Sequence, residues 1–277
     1  MGGVERRLGS STFLSGDGLS SVSRGDSPGV WKGSIVDKEA LEGKVILVTG
    51  AARSLGASMA AYFESVGGTA IRTDINPAQG VVELDVTKIG QWESVVADVI
   101  REHGHLDGLV NNAAAFFGAR PFWAETDAEF ARLLDVNVMG TWLGIKVAAR
   151  AMAPKWRGSI VNFSSTSGMM GSDMGFAGYG TTRWAVRGLT KHSAADLAAQ
   201  GVRVNSIHPH GIVGTGMMPV PRNRDDEAAR DAANPMGRTG MTDDVSSMVT
   251  FLLSDRSTWI TGREFVIDGG ATLTCAL

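Results

Sequence analysis

From Lys44 onward the chain alternates short apolar runs with segments long enough for helices, and this rhythm constrains the fold more than any other feature. Lys44-Val45-Ile46-Leu47-Val48, closed by Thr49-Gly50, has the unbroken apolar character of a strand buried on both faces. Residues 55–66 then show helical spacing, with Leu55, Met59, Tyr62 and Phe63 on one side. Further strands are expected at 69–73 (closed by Asp74), 81–85, 106–111, 159–163, 202–207 and 264–267. Helices are expected at 87–103, from the capping box Thr126-Asp127-Ala128-Glu129, from Tyr179 to about Gln200, and at 242–253. The helix opened by that capping box carries an apolar stripe of Phe130, Leu133, Leu134, Val138 and Trp142. Strand–helix–strand units with helix-length crossovers fold as an α/β doubly wound parallel sheet with helices on both faces.

A chain of 277 residues with 43% hydrophobic content fills one large core, and residues 41–277 read as a single domain without repeats. Residues 1–40 differ: Gly9-Ser10-Ser11-Thr12, Ser15-Gly16-Asp17-Gly18 and Ser27-Pro28-Gly29 are turn and linker chemistry. They are expected to be a flexible extension, or an arm that anchors on a partner subunit through Phe13, Leu14, Val30 and Trp31. A net charge of −3 gives no nucleic-acid footprint. No apolar run reaches the length of a membrane span, and Arg6-Arg7 is not followed by the apolar core of a signal peptide. The one cysteine, Cys275, excludes an internal disulfide framework and fits a cytoplasmic setting; no metal site is expected.

Two stretches carry chemistry. Thr49-Gly50-Ala51-Ala52-Arg53-Ser54-Leu55-Gly56 joins the first strand to the first helix, where a glycine turn lets a pyrophosphate rest on helix N–H groups. Asp74 ends the next strand, 18 residues beyond Gly56, where a carboxylate accepts from both adenosine ribose hydroxyls and repels a 2′-phosphate. That favours NAD over NADP, against the opposite pull of Arg53 and Arg72. In the second stretch, Tyr179 and Arg183 are four apart on a helix and share a face. A fixed cation beside a phenol favours phenolate, which takes a proton from an alcohol.

The ordered set of these and later motifs resembles the short-chain dehydrogenase/reductase family over roughly residues 41–275. Thr49–Gly56 resembles the family's Thr-Gly-x-x-x-Gly-x-Gly turn, with Gly50, Arg53, Ser54, Leu55 and Gly56 at the cofactor. Leu84-Asp85-Val86-Thr87 resembles the adenine-contacting segment, and Asn111-Asn112-Ala113-Ala114 the Asn-Asn-Ala-Gly strand end. His208-Pro209 and Ile267-Asp268-Gly269-Gly270 resemble later landmarks. The resemblance implies a Rossmann-like fold and hydride transfer between a nicotinamide and a carbonyl or alcohol carbon. Cofactor contacts are then expected from Asp74, Asp85, Val86, Asn112, Ala113, Pro209, Ile212 and Thr215, and from Tyr179 and Arg183. The implied catalytic set is Tyr179 as acid/base, Ser165 holding the substrate oxygen, Asn137 holding a relay water, and Arg183 in place of lysine. Such proteins pair through the helices that hold Asn137 and Tyr179, so a homo-oligomer, dimer or homotetramer, is expected.

The departures matter as much. Arg183 keeps the charge of the family's lysine but cannot lose a proton in steps, and Lys191 is too far along the helix to substitute. Ser54 replaces the middle glycine, Ala114 replaces another, and His210 follows Pro209 where glycine is usual, so Gly211 takes over the turn. His210 is open to two readings, a substrate contact or an exposed loop residue, whereas His208 reads as structural. Met169, Met170, Met174, Phe176, Met217 and Met218 suit an adaptable apolar substrate site, hence a bulky hydrophobic alcohol or ketone. Residues 219–235, with Pro219, Pro221 and the charged run Arg222 to Asp231, read as a lid with a short solvated helix. Two rival functions share this site: a cofactor-binding protein with weak or lost redox chemistry, and a redox-neutral dehydratase, isomerase or cyclase using Tyr179.

Overall fold

A computed structural model of the chain describes residues 37–155, 157–171, 174–217 and 221–273. The anchors Phe13, Leu14, Val30 and Trp31, together with Met218, Pro219 and Cys275, lie outside the described residues. Strand β1 (Val45–Thr49) leads into α1 (Ser54–Ser65), β2 (Thr69–Asp74) and the two-residue β3 (Val82–Glu83). Then come α2 (Ile89–His103), β4 (Gly108–Asn111) and α3 (Asp127–Leu133), which runs through a π-helical segment (Leu134–Met139) into α4 (Gly140–Met152). The second half holds β5 (Gly158–Phe163), α5 (Ala177–Leu197), β6 (Val202–Pro209), α6 (Arg224–Ala232), α7 (Thr242–Leu253) and β7 (Glu264–Ile267).

The seven strands form one parallel sheet in the order β3-β2-β1-β4-β5-β6-β7. Every residue of β1 is buried, as its unbroken apolar run requires, because β1 pairs with β2 on one side and β4 on the other. Strand order reverses at β1, so the C-terminal ends of β1 and β4 diverge and leave a crevice. Helices α1 and α7 pack together, as do α2 and α4, so both faces of the sheet are covered. No described helix is long and apolar enough to cross a membrane.

Two expectations change. The third strand, expected over residues 81–85, shrinks to Val82–Glu83, because it is an edge strand whose two residues are both exposed. The apolar stripe on the third helix also differs. The Thr126 capping box forms as expected, with Glu129 N–H donating to Thr126 Oγ1 (3.2 Å) and Thr126 N–H to Glu129 Oε2 (3.0 Å). Through the π-helical segment that follows, Leu133, Val136 and Asn137 are buried while Leu134 and Trp142 are exposed, so the expected stripe holds only in part. Helix α6 is the short solvated helix of the charged run, capped by Asn223 Oδ1 accepting from Asp226 N–H (2.8 Å).

Close approach of α4 to α2 and β4 depends on Gly144. A Cβ there would sit 2.8 Å from the Trp92 ring and collide with the Asn111 carboxamide. Gly144→Ala should therefore destabilise the protein by about 1–3 kcal/mol. Gly188, on α5 with open space around it, should stabilise by about 0.5–1 kcal/mol when changed to Ala. Urea titration of the two variants beside the native chain checks both signs.

Candidate active site

The strand ends open into a cleft of about 1240 Å³. Its wall brings together every expected cofactor residue: Gly50, Arg53, Ser54, Leu55, Gly56, Asp74, Asp85, Val86, Asn112, Ala113, Pro209, Ile212 and Thr215. It also includes Ser165, Tyr179 and Arg183. Asn137 is not on the wall; it is fully buried behind it.

The glycines act by closeness. Gly50 has φ +66°, and a Cβ there would lie 2.9 Å from Ala113 Cα; one on Gly56 would collide with the Gly50 carbonyl. Thr49 Oγ1 accepts from the backbone N–H of both Asn112 and Ala113 (3.0 Å each), and Asn112 Nδ2 donates to the Thr49 carbonyl (2.9 Å). Helix α1 starts without a side-chain cap and without an acidic residue in its first turn, so its N–H groups face the cleft available to an anion. Ser54 is the one described non-glycine residue with positive φ (+54°), a strain of roughly 1–2 kcal/mol where the family keeps glycine.

Asp74 is aimed by its own turn, with Oδ2 accepting from Ala52 N–H (3.2 Å) and Oδ1 from Asn76 N–H (3.0 Å). Arg72 does not compete with it: its guanidinium is paired with Glu64 (2.7 Å) and is not part of the wall. Arg53 is exposed on the wall. Burial works against ionisation of Asp85, but the N–H and hydroxyl of Thr87, helped by the Arg132 and Lys88 charges, hold its carboxyl below the usual range.

Ser165 follows β5 in extended conformation; its Oγ accepts from Ser167 N–H (3.1 Å), leaving the O–H to donate into the cleft. Its carbonyl lies 3.2 Å from Nδ1 of His208, whose Nε2 is 3.0 Å from Ser206 Oγ. Burial depresses the His208 pKa to about 4, so the ring is neutral at pH 7: Nδ1–H donates to Ser165 and Nε2 accepts from Ser206. Tyr179 sits in the first turn of α5, its ring under the Arg183 guanidinium (4.8 Å), and its hydroxyl has no protein partner among the described residues. Arg183 is 3% exposed; Nη1 donates to the Phe163 carbonyl (2.8 Å) and Nε has no partner. No carboxylate pairs with it among the described residues, whereas Lys191 is held by Glu264 (2.9 Å), well away from the phenol.

Asn137 is bonded to protein on every side: Oδ1 accepts from Ala115 N–H (2.8 Å), and Nδ2 donates to the Ala115 carbonyl (3.2 Å) and Thr182 Oγ1 (3.0 Å). Its carbonyl accepts from Thr141 Oγ1 (2.8 Å). It therefore braces the site. On the substrate side Met170, Met174, Phe176 and Met217 line the cleft, while Met169 does not. His210 also lines it, its Nδ1 3.1 Å from Thr166 Oγ1. Gly211 turns the chain with φ +28°. Three wall or support residues carried no signal in the sequence. Phe116, T-shaped against Tyr179 (5.2 Å), stands in an apolar run like any strand exit. Arg132 reads as a solvated helix charge. Glu125, whose Oε2 accepts from Gly178 N–H at the start of α5 (2.9 Å), reads as part of a loop.

A family model described as enoyl-(acyl carrier protein) reductase matches residues 50–272. The chain is 41% identical over 244 residues to a 3-alpha-(or 20-beta)-hydroxysteroid dehydrogenase of Mycobacterium tuberculosis, covering 83% of this chain and 90% of that protein. It is 35% identical to a trans-4-hydroxycyclohexanecarboxylate dehydrogenase of Sinomonas cyclohexanicum (83% and 93% covered) and 34% to a cyclopentanol dehydrogenase of Comamonas (83% and 97%). Among solved structures, levodione reductase superposes with a TM-score of 0.77 at 27% identity, covering 84% of this chain and 99% of that one.

The His208 ring makes the site acid-sensitive. Its folded pKa of about 4 lies below the ordinary 6.5, so the stability it supports is complete above pH 6.5 and is lost as pH falls through 4. Unfolding free energy should drop by about 2 kcal/mol between pH 7.5 and pH 5. Glu264, held at about 2 mainly by its Arg187 hydrogen bonds, titrates below that window. Urea unfolding at both pH values should show a smaller difference for His208→Asn than for the native chain.

Proposed function

The chain is a member of the short-chain dehydrogenase/reductase family, and from that premise we propose an NAD-dependent dehydrogenase of bulky, hydrophobic, cyclic secondary alcohols and their ketones. The observation that carries this reading is a phenol, Tyr179, unbonded at its hydroxyl among the described residues and lying under a buried guanidinium, in one cleft with the Ser165 hydroxyl. The substrate class rests on the apolar lining by Met170, Met174, Phe176 and Met217 and on relatives whose names specify ring alcohols. A volume of about 1240 Å³ exceeds what a single drug-sized ligand fills, which suits a dinucleotide and a second molecule together.

The residues fit a nicotinamide dinucleotide: the Gly50–Gly56 cradle and uncapped α1 suit a pyrophosphate, and the Arg183 fork suits ribose hydroxyls. When bound, that cofactor supplies the hydride acceptor or donor. Asp74, with both oxygens turned by backbone N–H groups, supports NAD as the partner. Ser165 donates its O–H to the substrate oxygen, and Tyr179 takes the hydroxyl proton in oxidation or returns it in reduction. Arg183 supplies a permanent charge beside the phenol without exchanging protons itself. Its commitment to the Phe163 carbonyl favours one second reading, a cofactor-binding protein with weak redox activity.

A homo-oligomer belongs to this proposal. A surface hollow of about 300 Å³ is lined by Leu134, Val138, Met139, Trp142 and Leu189, with Asp135 its one charged residue, on the helices that hold Asn137 and Tyr179. An apolar patch of this kind suits burial against a second copy. A cytoplasmic setting is also part of the proposal, supported by the single cysteine.

NAD-linked turnover of a panel of cyclic alcohols and ketones tests the reading, with the native chain beside Arg183→Lys. The native chain should turn over at least as well as the variant; activity in the lysine variant alone would favour the redox-poor reading. Asp74→Ala should lower the NAD/NADP preference in kcat/KM by at least about tenfold, because it removes like-charge repulsion at the 2′-phosphate.

A further inference from the structure

The Tyr179 phenol takes its aim from ring contacts, since no hydrogen bond to its hydroxyl exists among the described residues. One contact is the Arg183 guanidinium over its face at 4.8 Å. The other is Phe116, with ring centroids 5.2 Å apart and planes at 70°. Phe116 is itself braced by Phe176, just ahead of α5, at 5.5 Å and 68°.

The backbone beneath these rings is equally fixed. Ala115, the neighbour of Phe116, exchanges two hydrogen bonds with the buried Asn137 carboxamide (2.8 and 3.2 Å). The same carboxamide donates to Thr182 Oγ1 (3.0 Å), and that hydroxyl donates to the Tyr179 carbonyl (2.7 Å). Asn137 thus ties the loop carrying Phe116 to the helical turn carrying Tyr179, and the two rings close the circuit.

We propose that Phe116 is a positioning residue that holds the Tyr179 phenol against the Arg183 guanidinium while forming part of the cleft wall. This deepens the dehydrogenase reading and, for its kinetic consequence, rests on it. A T-shaped pair depends on the positive edge of one ring meeting the negative face of the other, so an aliphatic side chain of similar bulk fills the space without restoring the aim. The charged and titratable groups around the phenol are Arg183 on its own helix, Glu125 at the start of that helix and His210 across the cleft.

The chain has two tyrosines, Tyr62 on α1 and Tyr179. In a full-length Tyr62→Phe background, one ring-carbon NMR signal from labelled tyrosine therefore reports Tyr179 alone, with neither substrate nor cofactor needed. Phe116→Leu in that background should lose the nuclear Overhauser contact between the Tyr179 ring and the Arg183 side chain that the 4.8 Å stacking predicts. It should lower kcat for a cyclic alcohol by about tenfold, with KM and NADH affinity within about twofold. A nuclear Overhauser contact and kcat both unchanged, or a loss confined to KM, would overturn the proposal. Should Phe116→Leu fail to fold, Phe176→Leu removes the brace on Phe116 and is read the same way. If the native chain turns over no alcohol or ketone, the dehydrogenase reading fails while the NMR signal still decides the clamp.

Discussion

Everything at the cleft depends on how the ends of β1 and β4 are locked together where the strand order reverses. Diverging parallel strands leave unpaired backbone groups at their C-terminal ends, and a buried crevice with open groups would fill with water or collapse. Thr49 and Asn112 satisfy those groups from side chains: one hydroxyl takes two N–H groups and one carboxamide spans two carbonyls. Gly50 and Gly56 then admit neighbouring backbone to contacts that a methyl group would block. The cradle exists because these polar and glycine positions remove the two obstacles, unsatisfied backbone and side-chain bulk.

The second layer of organisation is the interrupted helix from α3 to α4. A regular helix already places Asn137 on the stripe with Phe130, Leu133 and Leu134, and it is indeed fully buried. Through the π-helical segment Asn137 stays inward, bonded to Ala115 and Thr182, while Leu134 and Trp142 lie at the surface. The irregular segment thus carries the buried brace on its inner side and the apolar hollow on its outer side.

Much of this was legible in the sequence, for identifiable reasons. Buried parallel strands such as β1 announce themselves as continuous apolar runs, and β7 is recovered over the same residues as expected. That these residues would meet in one cleft was legible because most lie at strand ends, where motif spacing and topology coincide. That Arg72 pairs with Glu64 was not legible, because alternation along a strand does not reveal that a carboxylate eight residues earlier faces it. The stripe held only in part because a π turn leaves no compositional mark. Phe116 was missed because a T-shaped contact across 63 residues of chain has no local signature.

Arg183 has a consequence beyond the reaction. A guanidinium buried without a counter-ion among the described residues costs several kcal/mol in desolvation that its hydrogen bond to Phe163 only partly offsets. A ligand that supplies acceptors there stabilises the folded chain by mass action as well as occupying the cleft. On the dinucleotide reading, the empty protein is the form most exposed to cellular proteolysis, so the lifetime of the enzyme follows the supply of its cofactor. The residue that sets the charge at the phenol thereby also couples how much enzyme persists to the redox currency it uses.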